Sequence, residues 1–276
     1  AAARQKGIDI VEDFFGTELA TRLVDSGWRA DLTAANNVLA HVPDINDFVA
    51  GFAILLAPEG VATFEFPHLL NMVRESQFDT AYHEHYSYLS LTAVARIFAE
   101  NGLKVFDVET TPWHGGSLRV FACRAGAETR PVQASVASML ETEAEAGMGE
   151  EAFHANFQAE ARRVRNDFVA YLIECARKNL SVAAYGAAAK GNTLLNFAGI
   201  KPDLIRFVVD KNPAKQGLFM PGSRIPIVDE TRLKAAKPDR VVILPWNIQT
   251  EIMNQLSYIR DWDGKFVTAI PTLTEH

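Results

Sequence analysis

The sequence predicts an α/β protein: a first open-sheet domain, a helical connector, and a second, smaller open-sheet domain. Three observations predict it. From Ile8 to Cys123, short apolar runs alternate with patterns of helical period. From about Gln133 to Lys178 the chain is rich in Ala, Glu and Arg and free of Pro, the composition of long helices with charged faces. After Val182 the alternation of strand and helix patterns resumes. The boundaries fall at 1–126, 127–180 and 181–276, and no short internal repeat points to a solenoid.

Each element follows from its residues. Ile8 to Val11 is expected as a strand, Thr17 to Val24 as a helix and Ala30 to Ala35 as a strand. Asp44 to Leu56 is expected as a helix closed by Pro58-Glu59-Gly60, with Val61 to Phe66 as the next strand. Leu91 to Asn101 is an amphipathic helix that Gly102 stops by taking a left-handed conformation. Lys104 to Val108 and Leu118 to Ala122 flank the turn-rich His114-Gly115-Gly116-Ser117, as an antiparallel hairpin would. A parallel series ending in such a hairpin is analogous to the tail of a class I methyltransferase sheet, a Rossmann-like fold. In the last third, strands are expected at Val182 to Gly186, Ile205 to Val209, Arg240 to Leu244 and, last, Lys265 to Ile270. Helices are expected to hold Asn192 to Ala198, Asp229 to Ala236 and Ile248 to Ile259, which makes a second Rossmann-like unit.

Composition narrows the function. With 276 residues, 48% of them hydrophobic, the chain can build one large or two medium cores. A net charge of −7 and the lack of a broad basic stripe argue against nucleic acid as a partner. Cys123 and Cys175 have no C-x-x-C spacing, so neither a zinc knuckle nor a disulfide framework is read, no metal site is expected, and a reducing cytoplasm is the default. No stretch reaches the roughly 20 apolar residues of a spanning helix, and Ala1-Ala2-Ala3-Arg4-Gln5-Lys6 is no signal peptide, so no membrane partner is expected.

The densest chemistry is Tyr82-His83-Glu84-His85-Tyr86, inside a run from Asp79 to Tyr88. Two imidazoles, a carboxylate and two phenols within five residues can remove, donate and stabilise a proton near neutral pH. The run follows the strand ending at Pro67, and residues past a strand's carboxyl end face the ligand crevice of an open sheet. His41, in Asn36-Asn37-Val38-Leu39-Ala40-His41, follows another strand and is either a hydrogen-bonded loop residue or a second catalytic group. Asp13 and Phe14 offer an acid and an aromatic that can hold an adenine, or else a helix cap followed by core phenylalanines. Gly186-Ala187-Ala188-Ala189-Lys190-Gly191-Asn192 is a small-residue turn, fitted either to a phosphate or to tight strand–helix packing. Pro245-Trp246-Asn247 follows a further strand and could offer a ring to a base or sugar.

Together the motifs Asn36 to His41, Tyr82 to Tyr86, His114-Gly115-Gly116-Ser117-Leu118-Arg119 and Tyr185 to Asn192 resemble those of the sugar-nucleotide C-methyltransferases, over essentially the whole chain. The resemblance implies an N-terminally incomplete methyltransferase domain over 1–126 and a sugar-nucleotide-binding domain over 181–276. It implies S-adenosylmethionine as cofactor, near Asp13, Phe14, Asn36 and Asn37, and a nucleoside-diphosphate 4-keto sugar as substrate, near His114, Ser117, Arg119, Lys190, Asn192, Trp246 and Asn247. His85 is then the base that takes the proton beside the ketone, with His41, Tyr82 and Glu84 donating to the enolate oxygen or orienting the base. The family's zinc cysteines and glycine-rich first strand–turn–helix have no counterpart here, and Ala1-Ala2-Ala3-Arg4 resembles that domain's second helix, so the chain is expected to be a fragment. Two other readings stay open: a nicotinamide-dependent sugar-nucleotide oxidoreductase using the 186–192 turn and Asp210, and a non-catalytic sugar-nucleotide-binding remnant.

Overall fold

The structure is a computed structural model that describes residues 2–276. In chain order, its first elements are α1 (Ala2–Gln5), α2 (Thr17–Asp25), β1 (Ala30–Asn36), α3 (Ile45–Leu55), β2 (Leu56–Pro67), α4 (Leu69–Arg74), α5 (Leu91–Glu100), β3 (Leu103–Thr111), β4 (Ser117–Arg124) and α6 (Ala134–Glu145). There follow α7 (Glu151–Ala155), α8 (Phe157–Arg177), β5 (Val182–Tyr185), α9 (Ala189–Phe197), β6 (Val208–Val209), β7 (Ile227–Val228), α10 (Glu230–Ala236), β8 (Arg240–Ile243), α11 (Gln249–Gln255), β9 (Lys265–Thr268) and β10 (Thr274–Glu275). Short 3-10 turns lie between them, at Leu39–His41 and Phe78–Thr80 among others. No helix among the described residues is long and apolar enough to cross a membrane.

The chain divides into two compact units, the first made of Ala1–His68, His85–Pro112 and Gly116–Ala146, the second of Leu69–Glu84, Trp113–Gly115 and Gly147–His276. The first helix of the 127–180 stretch thus packs in the first unit and the others in the second. The run 82–86 passes from one unit to the other between Glu84 and His85.

The first unit holds a four-stranded sheet in the order β1-β2-β4-β3. β1 and β2 run parallel, and β4 runs antiparallel to both β2 and β3, so the parallel series does end in a hairpin. Alternate residues of β2, Ala62, Phe64 and Phe66, are buried. Phe64 meets Phe52 of α3 at 4.8 Å and Phe98 of α5 at 4.7 Å between ring centroids, so aromatic edges lock sheet to helices. The Asp44 side chain accepts from the Asp47 amide and caps α3, and Ser90 does the same for α5 through Ala93. Gly102, at φ +80°, ends the turn after α5 as its position predicts.

The second unit holds a six-stranded sheet, β10-β9-β8-β5-β6-β7, parallel except for β10. Both of its faces are buried. Val182 and Ala184 of β5 point into one apolar cluster with Val242 and Val267, while Ala183 and Tyr185 point into another with Val241 and Phe266. Two-sided burial is what continuous apolar strands in a parallel sheet require.

Several expectations are corrected. Ile8 to Val11 is not a strand: no strand among the described residues pairs with it, and both Ile8 and Val11 are exposed. Pro58-Glu59-Gly60 does not separate α3 from a strand, because β2 begins at Leu56 and carries these residues through a register shift opposite β1. The 82–86 run does not leave β2 directly, since α4 and the Phe78–Thr80 turn intervene. The strand expected from Ile205 pairs only at Val208–Val209, and the helix expected over Ile248 to Ile259 breaks into α11 and a 3-10 turn, Ser257–Trp262. Lys265 begins the penultimate strand rather than the last. Of the opening run read as a helix, Ala1 lies outside the described residues and Ala2–Gln5 forms one turn.

Candidate functional site

In the first unit, two separate sequence motifs meet. β1 ends at Asn36, and Asn37 turns the chain at φ +55°, where its amide donates to the Glu65 carbonyl at 2.7 Å. The 3-10 turn that follows presents His41. Tyr86 donates its amide to the Ala40 carbonyl at 2.8 Å, which brings the 85–88 stretch alongside that turn. The rings of His41 and His85 lie 4.7 Å apart, edge to face at 81°. Tyr88 lies edge-on to His85 at 6.0 Å, and burial pushes its phenol up. Tyr88 lies inside the 79–88 run, and its even spacing from Tyr86 is the sequence signal for it.

In the second unit, Tyr82, His83 and Glu84 form one wall of an open cleft of about 440 Å³, and Ala189, Asn192 and Thr193 on the first turns of α9 form the other. The structure thus brings this half of the 82–86 run beside the small-residue turn. Ala189 and Asn192 also line a second cleft, of about 310 Å³, with Leu218, Phe219 and Pro221.

The small residues of that turn serve packing. A Cβ on Gly186 would stand 2.4 Å from Pro245 Cδ, and one on Gly191 would stand 2.6 Å from Leu244 Cβ. Lys190 is buried, donates to the His114 carbonyl at 2.9 Å and lies over the Trp246 ring, 4.9 Å from its centroid. Trp246 in turn donates its indole N–H to Asp79 at 2.8 Å. Burial pushes the Asp79 carboxyl up and the Lys190 ammonium down, in each case against the attraction between the two. Asp79 is fully buried, and nothing in its local sequence marks it so.

The remaining residues are more dispersed. Arg119 reaches one oxygen of buried Glu65 with both Nε, at 3.1 Å, and Nη2, at 2.7 Å, across the β2–β4 ladder. Ser117 is buried at the start of β4, His114 is exposed on the hairpin tip at φ +58°, and Asn247 is half-buried beside Trp246. Asp13 ends no strand. It pairs with Arg22, which holds its carboxyl below the usual range, and it accepts the Phe14 amide. Phe14 is not a core residue but stands 97% exposed; Phe15 takes the core place, against Phe48 and Phe52. Asn36 is exposed at the carboxyl end of β1. Asp210, the acid a nicotinamide reading would need, accepts from the amides of Ala187 and Asn212, each at 2.8 Å, with Lys215 at 3.7 Å.

The sequence is similar to known proteins. Residues 112–271 match the family described as C-methyltransferase C-terminal domain, and residues 3–108 match a methyltransferase domain. The C-methyltransferase NovU of Streptomyces niveus is 35% identical over 269 residues, which are 98% of this chain and 64% of that protein. The chain therefore spans under two thirds of the length of that relative. Among solved structures, M1.HpyAVI is similar at 15% identity and TM-score 0.27, over 40% of this chain and 52% of that one. Magnesium protoporphyrin IX methyltransferase (ChlM) from Synechocystis PCC 6803, with bound SAH, is similar at 16% identity and TM-score 0.29, over 36% and 47% respectively. The match over residues 112–271 covers more than half of the sequence: this chain belongs to the C-methyltransferase family.

Proposed function

We propose that the protein methylates a carbon beside the ketone of a nucleoside-diphosphate 4-keto sugar, with S-adenosylmethionine as methyl donor. The observation that carries this reading is the edge-to-face meeting of His41 and His85. An oxygen or nitrogen nucleophile has a lone pair ready, but a carbon nucleophile must first lose a proton. A carbon methyltransferase therefore needs a base whose pKa lies near the working pH, and imidazole meets that need.

In this reading His85 takes the C–H proton and the electron pair moves to the ketone oxygen as an enolate. His41, Tyr82 and Glu84 donate to that oxygen or orient the base, and such preorganised groups contribute ~3–4 kcal/mol each. The enolate carbon would then take up the donor's methyl group, and His85 would hold the proton it removed until it passes to solvent. For the substrate, the second unit offers His114, Lys190, Asn192, Trp246 and Asn247, and the first offers Ser117 and Arg119. The cleft between Tyr82 and Asn192 supports a sugar there, since its walls carry hydroxyl, imidazole, carboxylate and amide groups that can hydrogen-bond sugar hydroxyls.

S-adenosylmethionine, when bound, supplies an electrophilic methyl group on a sulfonium. The residues present in the 1–126 domain fit it. Phe14 offers a fully open ring beside the Asp13 carboxylate, a pairing suited to an adenine face and its amino group. Asn36 and Asn37 offer amides at the carboxyl end of β1, where open α/β sheets take ligands.

The test uses the full-length protein. In deuterated buffer without methyl donor, the hydrogen next to the ketone should exchange, and labelled S-adenosylmethionine should then pass its methyl to that carbon. Methyl transfer to oxygen, or no exchange under conditions where the sugar nucleotide binds, would overturn the reading.

A further inference from the structure

One carboxylate in the first unit is more heavily engaged than any local pattern demands. Glu143 lies on α6 and is 1% exposed, and His68, 2% exposed, donates Nε2 to its Oε1 at 2.7 Å. The same oxygen accepts the Leu91 amide at 2.6 Å. The other oxygen accepts the Thr92 amide at 2.8 Å and the Thr92 hydroxyl at 2.6 Å. Burial pushes this carboxyl up, but the bonds from His68, Thr92 and Leu91 outweigh it and leave the group lowered, hence ionised at neutral pH.

The partners divide in a telling way. His68 is the last residue before the chain leaves the first unit, and Leu91 and Thr92 begin α5 soon after it returns at His85. His68 also bridges Leu89 and donates its amide to the Gly116 carbonyl at 3.1 Å. Ser90 already caps the third amide of α5, so Glu143 takes the two left over and adds a negative charge at the helix's positive end. The short stretch 85–90 is therefore anchored at its far end by Glu143 and at its near end by Tyr86 and Ser87, whose amides both reach the Ala40 carbonyl.

We propose that Glu143 is a positioning residue for the imidazole pair: its carboxylate clamps His68 and the start of α5, and so fixes the stretch that carries His85 against the turn that carries His41. The proposal rests on the reading of His85 as the base. A misplacement of about 1 Å can cost on the order of 100-fold in rate, so loosening this anchor should be felt in chemistry before it is felt in binding.

The experiment is Glu143→Gln and Glu143→Asp in the full-length enzyme, with Thr92→Val as the milder variant if the first pair fails to fold. Glu143→Gln should lower kcat by about 10- to 100-fold while KM for the sugar nucleotide changes little. Glu143→Asp should recover part of that loss. In ¹H–¹⁵N imidazole spectra of the variants, the His41 and His85 signals should move. Near-normal kcat in folded Glu143→Gln, or imidazole signals that stay in place while stability alone falls, would overturn the proposal. His85→Ala separates the two ideas: if it keeps turnover, the base assignment fails, and the imidazole spectra still decide whether Glu143 positions the pair.

Discussion

His41 and His85, 44 positions apart in sequence, share an edge-to-face contact of 4.7 Å within one unit of the fold. His85→Ala in the full-length enzyme should lose roughly 10²–10⁴-fold in turnover. His41→Ala should lose less. Near-normal turnover of the His85 variant, measured at saturating substrates, removes that residue from the base role.

Gly115 tests the hairpin tip. It takes φ +91°, and a Cβ there would stand 2.7 Å from Trp246 Cη2 and 2.9 Å from the Gln77 amide. Gly115→Ala thus combines a left-handed backbone with a clash against a buried ring. It should destabilise by about 1–3 kcal/mol, read as a lower midpoint in chemical denaturation. An unchanged midpoint would mean that the tip is free to move away from Trp246.

Much of this architecture is legible in sequence, and the reasons are local. Ser90 and Gly102 bracket α5, Asp44 caps α3, and the glycine-rich turn announces the β3–β4 hairpin. The failures are non-local. Ile8 to Val11 has strand composition, but a strand needs a neighbour and none pairs with it. Glu143 sits among Glu141 and Glu145 on a helix that reads as uniformly charged, and its partners lie 51, 52 and 75 positions away. The burial of Lys190 is likewise invisible in its turn, because His114, Trp246 and Asp79, which three distant segments supply, surround it.

Glu275 should govern acid stability of the second unit. Its carboxylate accepts from Tyr171 at 2.6 Å, Arg240 at 2.9 Å and Lys265 at 3.2 Å. The Tyr171 hydroxyl, against some burial and with help from Arg240 and Lys265, holds it down to about 2 from 4.5. A depressed acid stabilises the fold above its unfolded pKa and loses that contribution as pH falls toward the folded value. Wild-type stability should therefore drop between about pH 4.5 and pH 2, and Glu275→Gln should be less stable at neutral pH with a flatter slope across that window. Parallel melting curves for the two proteins at every pH would show that the three donors do not act through this charge.

Lys190 offers two distinguishable roles, and one pair of measurements separates them. Its ammonium is buried, bonded to the His114 carbonyl and stacked on Trp246, so its removal takes a donor from that carbonyl and the neighbouring cation from buried Asp79. That loss costs about 1–3 kcal/mol, and Lys190→Met should lower the thermal midpoint of this chain accordingly. Because the same bond holds the hairpin tip, the variant should also bind dTDP more weakly, by about tenfold, through the His114 tip. A charge-assisted contact with the diphosphate itself would behave otherwise: roughly 1.5–3 kcal/mol of binding, a 10- to 150-fold loss in affinity, would vanish with the ammonium while the melting point hardly moved. Calorimetry with dTDP on the variant, read beside its melting curve, decides between them. A fall in both quantities assigns Lys190 to holding the tip, and a fall in affinity alone returns it to the phosphate.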